Sequence, residues 1–282
     1  MRELTSVKIK APLGSYRSDR SEAQALNELS LTKKRALSII EPIANIHGVP
    51  LNFAFAFTCI ETMGLALRSA DGLSYGMMQT NAATLDGVIK SAFKMGMSIE
   101  DFKYVYYACK PAFRVKPNAK IPPLNWGNQQ FIGNISDIGD QAVEKAKIMA
   151  QPVRDVLIYA NPTYILSTGG GYTSPYNIFN RKMNSDPSFG IHIGCMYLYE
   201  LIVKSLQKEG DVEYIRTDWV INGYNGGYYS KFNPWMNSAQ GKLEPNTWLA
   251  QPNVPSVTKA YVKRLAGIGG YLELIKNGKF VL

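Results

Sequence analysis

The sequence predicts a mainly α protein. Three observations carry the expectation: apolar residues recur at helical spacing along most of the chain, strand-like alternation is nearly absent, and capping, Gly and Pro signals punctuate the runs. Residues 1–20 lack a clear period and are expected as an N-terminal arm ahead of a domain over 21–282. From Ser21 the pattern turns helical. Ala36, Leu37, Ile39, Ile40, Ile43, Ala44 and Ile46 recur at helical spacing, and His47-Gly48-Val49-Pro50 supplies a Gly stop and a Pro restart. The next helix, about 51–63, is apolar on nearly all sides, which places it at the centre of the fold. Residues 64–76 read as a loop with Gly64, Gly72 and Gly76, and helical patterns follow near 82–95 and 98–108.

Residues 110–136 are rich in Pro and Asn and read as a surface excursion. An amphipathic helix is expected over about 136–160, kinked at Pro152, and residues 161–185 are again irregular. Ser185-Asp186-Pro187 joins a capping side chain to a Pro and opens a helix to about Leu206. A further helix is expected from Asp211 through Tyr214, Ile215 and Trp219 to Asn222, and the last two near 257–265 and 270–275.

Composition narrows the function classes. At 46% hydrophobic and 19% charged, the 282-residue chain is globular rather than disordered. No apolar run reaches the ~18 residues of a membrane span. Three cysteines, an odd number widely spaced, and only two histidines, His47 and His192, leave no metal-ligand pattern, so neither a disulfide nor a metal nor another cofactor is expected. The excess of 31 basic over 22 acidic residues gives +9 and favours an anionic setting: nucleic acid, a charged envelope, or peptidoglycan with its stem-peptide carboxylates. The basic residues are dispersed apart from Lys33-Lys34-Arg35 and no nucleic-acid motif accompanies them, so no specific nucleic-acid partner is expected.

Glu61 is the leading candidate for chemistry. It ends the apolar stretch Phe53-Ala54-Phe55-Ala56-Phe57-Thr58-Cys59-Ile60, where burial disfavours the charged carboxylate and raises its pKa toward neutrality. A carboxyl that holds a proton near pH 7 is what cleavage of a glycosidic bond requires. Taken with the helix alone, a capped or paired structural carboxylate is the plainer reading.

Four separated segments shift that balance, because together they resemble the soluble lytic transglycosylases, relatives of goose-type lysozymes. Glu61-Thr62 resembles the family's Glu-Ser. Tyr75-Gly76-Met77-Met78-Gln79 is similar to its Gly-Leu-Met-Gln turn, with Gln79 placed 18 positions after Glu61. The run from Asp186-Pro187 to Gly194-Cys195-Met196-Tyr197-Leu198 resembles its Asp-Pro and Gly-x-x-Tyr-Leu helix, and Gly223-Tyr224-Asn225-Gly226-Gly227 its Ala-Tyr-Asn-Ala-Gly. A weaker fifth, Thr258-Lys259-Ala260-Tyr261-Val262, resembles the closing Thr-Arg-x-Tyr-Val. The resemblance covers about 36–90 and 186–265 and implies a lysozyme-like transglycosylase fold with a large insertion at about 97–183. Gly190 and Val257 depart from the family's Asn and Glu.

The resemblance implies that Glu61 protonates the oxygen between N-acetylmuramic acid and N-acetylglucosamine, then acts as base on the muramoyl 6-hydroxyl. Met78 and Gln79 would line the cleft with Thr62 and Tyr75, Tyr224 and Asn225 would hold the sugar on the opposite wall, and Tyr261 would orient Glu61. A lysozyme-type hydrolase on the same scaffold is the alternative. It needs a second carboxylate, and Asn81 and Asp71 do not match the acidic positions of goose-type lysozymes. Plainer readings accompany the rest: turns at Tyr75-Gly76 and Tyr224-Asn225, helix-end and core positions for His47 and His192, and packing for Tyr104, Tyr106, Tyr107, Trp126, Trp235 and Trp248.

The opening residues lack the apolar block of a secretory signal. The expectation is a bacteriophage virion component acting locally on the cell wall, with peptidoglycan strands as substrate and the insertion docking to other virion or tail proteins. An inactive virion structural protein on this scaffold is the competing reading.

Overall fold

The computed structural model describes residues 4, 7–9, 11, 13–70, 74–80, 84, 124–126, 129–131, 183–226, 245–252 and 254–282. The protein is mainly helical. The helices expected near 82–95, 98–108 and 136–160, the loop residue Asp71, Asn81 and Trp235 lie outside the described residues, Thr84 excepted. Within the expected insertion the described parts, besides Met183, are two short paired strands, Leu124–Trp126 and Gln129–Phe131.

Helix α1 (Glu22–Ile46) begins at a capping box. The Ser21 hydroxyl accepts from the Gln24 backbone N–H at 3.2 Å, and the Gln24 side chain accepts from the Ser21 N–H at 3.1 Å. Its buried residues Ala25, Leu29, Thr32, Ala36, Ile40 and Ile43 form one stripe at helical spacing. Gly48, at φ 62°, ends it as expected, and α2 (Leu51–Thr62) restarts behind Pro50. Every residue from Phe53 to Cys59 is buried. That all-round apolarity is satisfied because α2 packs against α1, α3 (Pro187–Lys204), α6 (Ser256–Ala266) and α7 (Tyr271–Lys276). Asp186 caps α3 by accepting from the Phe189 N–H at 3.3 Å, with Pro187 in the first turn.

The stretch after Asp211 differs from the expected helix. Val212–Ile215 is a strand that pairs antiparallel with Leu206–Glu209 around the two-residue turn Gly210-Asp211, Gly210 having φ 60°. Only after Arg216 does a helix begin, α4 (Thr217–Gly226), which packs on α3 and α6; the short α5 (Pro245–Ala250) lies between α4 and α6 in the chain. Helical and strand periods are hard to separate over four residues. Here pairing decides, because Lys8–Ile9 adds in parallel to Tyr214–Ile215 and completes a three-stranded sheet.

The residues expected as an arm are therefore laid onto the domain. Leu4, Ala11 and Leu13 are buried, the Leu13 N–H donates to the Ala266 carbonyl at 2.6 Å, and Arg264 holds Asp19 through two hydrogen bonds of 2.6 and 3.0 Å.

His47, at the end of α1, and His192, in α3, meet edge to face with Nε2 and Nδ1 2.9 Å apart. They occupy the helix-end and core positions expected of them. Burial pushes the His192 imidazole below its usual range, outweighing the opposing charge of Asp186. A base whose folded pKa is depressed contributes stability that is present above the unfolded value and lost as pH falls. Unfolding free energy should therefore decline as pH falls from about 8 through the ordinary imidazole range, and His192→Gln should flatten that decline. Urea titrations of both proteins across this range check it.

Candidate active site

Glu61 is the penultimate residue of α2, and the helix stops immediately beyond it. Met63 caps the end in the left-handed region at φ 52°, its N–H donating to the Cys59 carbonyl at 3.0 Å. Gly64 follows at φ 75°, where a Cβ would lie 3.1 Å from the Cβ atoms of Arg35 and Ala36, so only glycine lets the chain turn this close to α1. Arg35 donates to the Met63 carbonyl at 3.1 Å and fixes the turn from outside.

The chain then runs through Leu67–Arg68, which pairs antiparallel with Tyr75–Gly76. The turn from Tyr75 to Thr80 is closed by two backbone hydrogen bonds between those residues, 2.8 and 3.1 Å. Gly76 has φ 76°, and a Cβ there would sit 2.9 Å from the Met183 carbonyl oxygen. Asn184 accepts from the Gly76 N–H at 3.0 Å. Gln79 occupies the left-handed region at φ 48°, and its amide donates to the carbonyls of Gly76 and Leu67, both at 2.8 Å. Both N–H donors are then engaged, so what the Gln79 side chain has left to offer is its carbonyl oxygen.

Two hydroxyls pin the middle of this turn. Thr62 donates to the Met77 carbonyl at 2.8 Å, and Tyr224, from α4, donates to the Met78 carbonyl at 2.6 Å. Both side chains are buried, as is Met78, whose side chain lies against Gly194. The Thr62, Met78 and Tyr224 side chains, expected to line the cleft or hold the sugar, are thus buried and engaged within the protein. Their burial and the unused hydrogen-bonding capacity of backbone carbonyls are the physical reason.

Tyr261 of α6 donates its hydroxyl to Glu61 Oε1, the orienting contact expected of it. Phe57, one helical turn before Glu61, packs against the rings of Tyr224 at 4.7 Å and Tyr261 at 6.3 Å. Tyr75 and Asn225 keep exposed surface. The Arg68 guanidinium lies 5.7 Å from the Tyr75 ring centre, and Asn225 Oδ1 accepts from Thr258 at 3.4 Å.

The electrostatics follow from these neighbours. Burial pushes the Glu61 carboxyl up to about 7, against the Tyr261 hydrogen bond, which lowers it. Among the described residues no cation and no second carboxylate contributes to that shift. Burial and then the Glu61 charge hold Tyr224 and Tyr261 well above the usual phenol range, so both remain donors. Glu61 as a whole residue is half-buried. Its carboxyl is therefore an acid that still holds its proton about half the time near pH 7, fixed by one phenol.

Sequence pattern does not mark Phe57, Asn184 or Gly194 as site residues. Phe57 does carry a usable signal, since it precedes Glu61 by four positions and so shares its helix face. Asn184 and Gly194 carry no local signal for their contacts. Comparison with protein-family models, with curated proteins and with solved structures finds no match to this chain.

Two outcomes follow from the raised carboxyl. Tyr261→Phe should move the Glu61 midpoint further up, by about one pH unit, because the lost hydrogen bond favoured the charged form; a carboxyl-carbon NMR titration reads this. The folded protein holds the Glu61 proton more tightly than the unfolded chain, so the carboxyl disfavours folding increasingly as pH rises from 4.5 to about 7. Glu61→Gln should leave stability unchanged below about pH 4.5 and raise it above neutrality by up to ~3 kcal/mol, measured by urea unfolding at both pH values.

Proposed function

We propose that the chain is a peptidoglycan lytic transglycosylase of lysozyme-like fold, with Glu61 as acid and then base. The single observation that carries the reading is the state of that carboxyl: bonded to Tyr261, free of any ion pair among the described residues, and raised by burial to about 7.

The reaction needs no other titrating group. Neutral Glu61 donates its proton to the oxygen that joins N-acetylmuramic acid to N-acetylglucosamine. The bond from the muramoyl anomeric carbon to that oxygen breaks, and the leaving sugar departs with a 4-hydroxyl. The Glu61 carboxylate then takes the proton of the muramoyl 6-hydroxyl as its oxygen bonds to the anomeric carbon. This closes the 1,6-anhydro ring and restores the neutral acid. A group with a midpoint near the working pH can serve in both directions.

Hydrolysis of the lysozyme type requires a second carboxylate in the site, and the described surroundings of Glu61 supply tyrosine hydroxyls instead. A purely structural role gives no use for a carboxyl that disfavours folding at neutral pH. The exposed Asn225, the half-buried Tyr75 and the carbonyl oxygen of Gln79 are the groups left to meet a sugar. Virion carriage is part of the proposal as its setting, and peptide mapping of purified bacteriophage particles decides it.

Glu61→Gln should cut muropeptide release by roughly 10²–10⁴-fold with the fold intact by circular dichroism. Mass analysis of digested peptidoglycan should find anhydro-muramoyl ends. Reducing ends would instead assign the hydrolase, and undiminished release by the variant would remove Glu61 from the chemistry.

A further inference from the structure

We propose that Gly194 is a positioning residue for Glu61: the side chain it lacks leaves a notch on α3 in which Met78 sits, and that seat holds the 75–80 turn against the end of α2. The inference rests on Glu61 being the acid of the site.

The fit is tight in a particular way. A Cβ at Gly194 would lie 2.3 Å from Met78 Sδ, 2.9 Å from its Cε and 2.7 Å from its Cβ. The sulfur and methyl could swing aside, but the Met78 Cβ is fixed to the backbone. A methyl group on α3 therefore has to move the turn itself.

The turn's backbone is tied to the acid by two routes. The Met77 carbonyl accepts from Thr62, the residue next to Glu61, and the Met78 carbonyl accepts from Tyr224. The Tyr224 ring lies 4.7 Å from Phe57, which in turn packs on Tyr261, the phenol bonded to Glu61. Displacing Met78 loosens both carbonyl contacts and opens the aromatic wall, and water entering there favours the charged carboxylate. Gly194 touches neither Glu61 nor the sugar in this account. It acts through Met78.

The test is the Glu61 carboxyl midpoint, read by carbon NMR in the full chain as wild type, G194A, M78G and G194A/M78G; glycine at 78 is needed because alanine would keep the Cβ that meets the new methyl. This readout is independent of whether the protein cuts any glycan. We expect G194A to lower the midpoint by about one pH unit or more, and the same substitution in the M78G background to move it by less than about 0.3 unit. An unchanged or raised midpoint in G194A overturns the proposal, as does a shift just as large when the Met78 side chain is already gone. If G194A does not fold, the comparison of M78G with G194A/M78G decides. A folded double variant with an unmoved midpoint supports the seat, and one that fails to fold where M78G folds overturns it. Absence of muropeptide release from wild type, with the expected midpoints, overturns the transglycosylase reading and leaves the positioning role standing.

Discussion

A carboxyl group is held in a largely apolar wall with no cation beside it among the described residues, and the rest of the described structure is arranged around that constraint. Burial raises Glu61 to about 7, which costs up to ~3 kcal/mol of folding free energy above that pH. Against a typical net stability of ~5–15 kcal/mol this is a large single liability. The all-apolar body of α2 offsets it, since seven consecutive residues from Phe53 to Cys59 are buried against four other helices. The helix that destabilises at its last turn is thus the one most firmly packed along its length. That arrangement lets a strained acid sit on an immobile support.

Backbone geometry near the site carries a second cost. Met63 and Gln79 are the two non-glycine residues in the left-handed region among the described residues, and both follow the acid in sequence. Such positions persist only where the surroundings over-determine them. Gln79 is held by its own amide bonds to two carbonyls, Met63 by the Arg35 contact and the tight approach of Gly64 to α1. Hydroxyls of Thr62 and Tyr224 add two more ties. The polar side chains around the turn serve mainly to define its shape, and a well-defined shape is what a site needs to present a single acid at one angle.

Sequence pattern makes the helices legible where it is long. α1, α2 and α3 span enough turns for a stripe, a cap or a Pro to be decisive, and the Asp186-Pro187 start lies where the residues put it. Val212–Ile215 shows the limit: four residues suit either period, and their state is settled by Lys8–Ile9, about two hundred positions away. The site divides the same way. The raised pKa of Glu61 follows from its own neighbours in sequence. The Tyr261 contact is legible only through the family resemblance, and the destinations of the Thr62, Met78 and Tyr224 side chains depend on which backbone carbonyl comes within reach after folding. Residue type cannot distinguish a hydroxyl that meets a sugar from one that meets a carbonyl.

The net charge of +9 looks at odds with a neutral acid, because any guanidinium or ammonium near Glu61 would drag its pKa down and keep it ionised. The described cations show how the two coexist. Arg216 is locked to Asp218 at 2.9 and 3.0 Å and lies over Trp219, Arg264 grips Asp19, Arg68 rests on Tyr75, and Arg35 is directed to a carbonyl. Each has a fixed partner that is not the acid. Under the proposed function, positive surface charge would act on an anionic glycan mesh within the ~8–10 Å that screening allows, while the carboxyl that must hold its proton has no cation against it among the described residues. Attraction to such a polymer and retention of the proton are opposite electrostatic demands, and separating them in space would let one chain meet both.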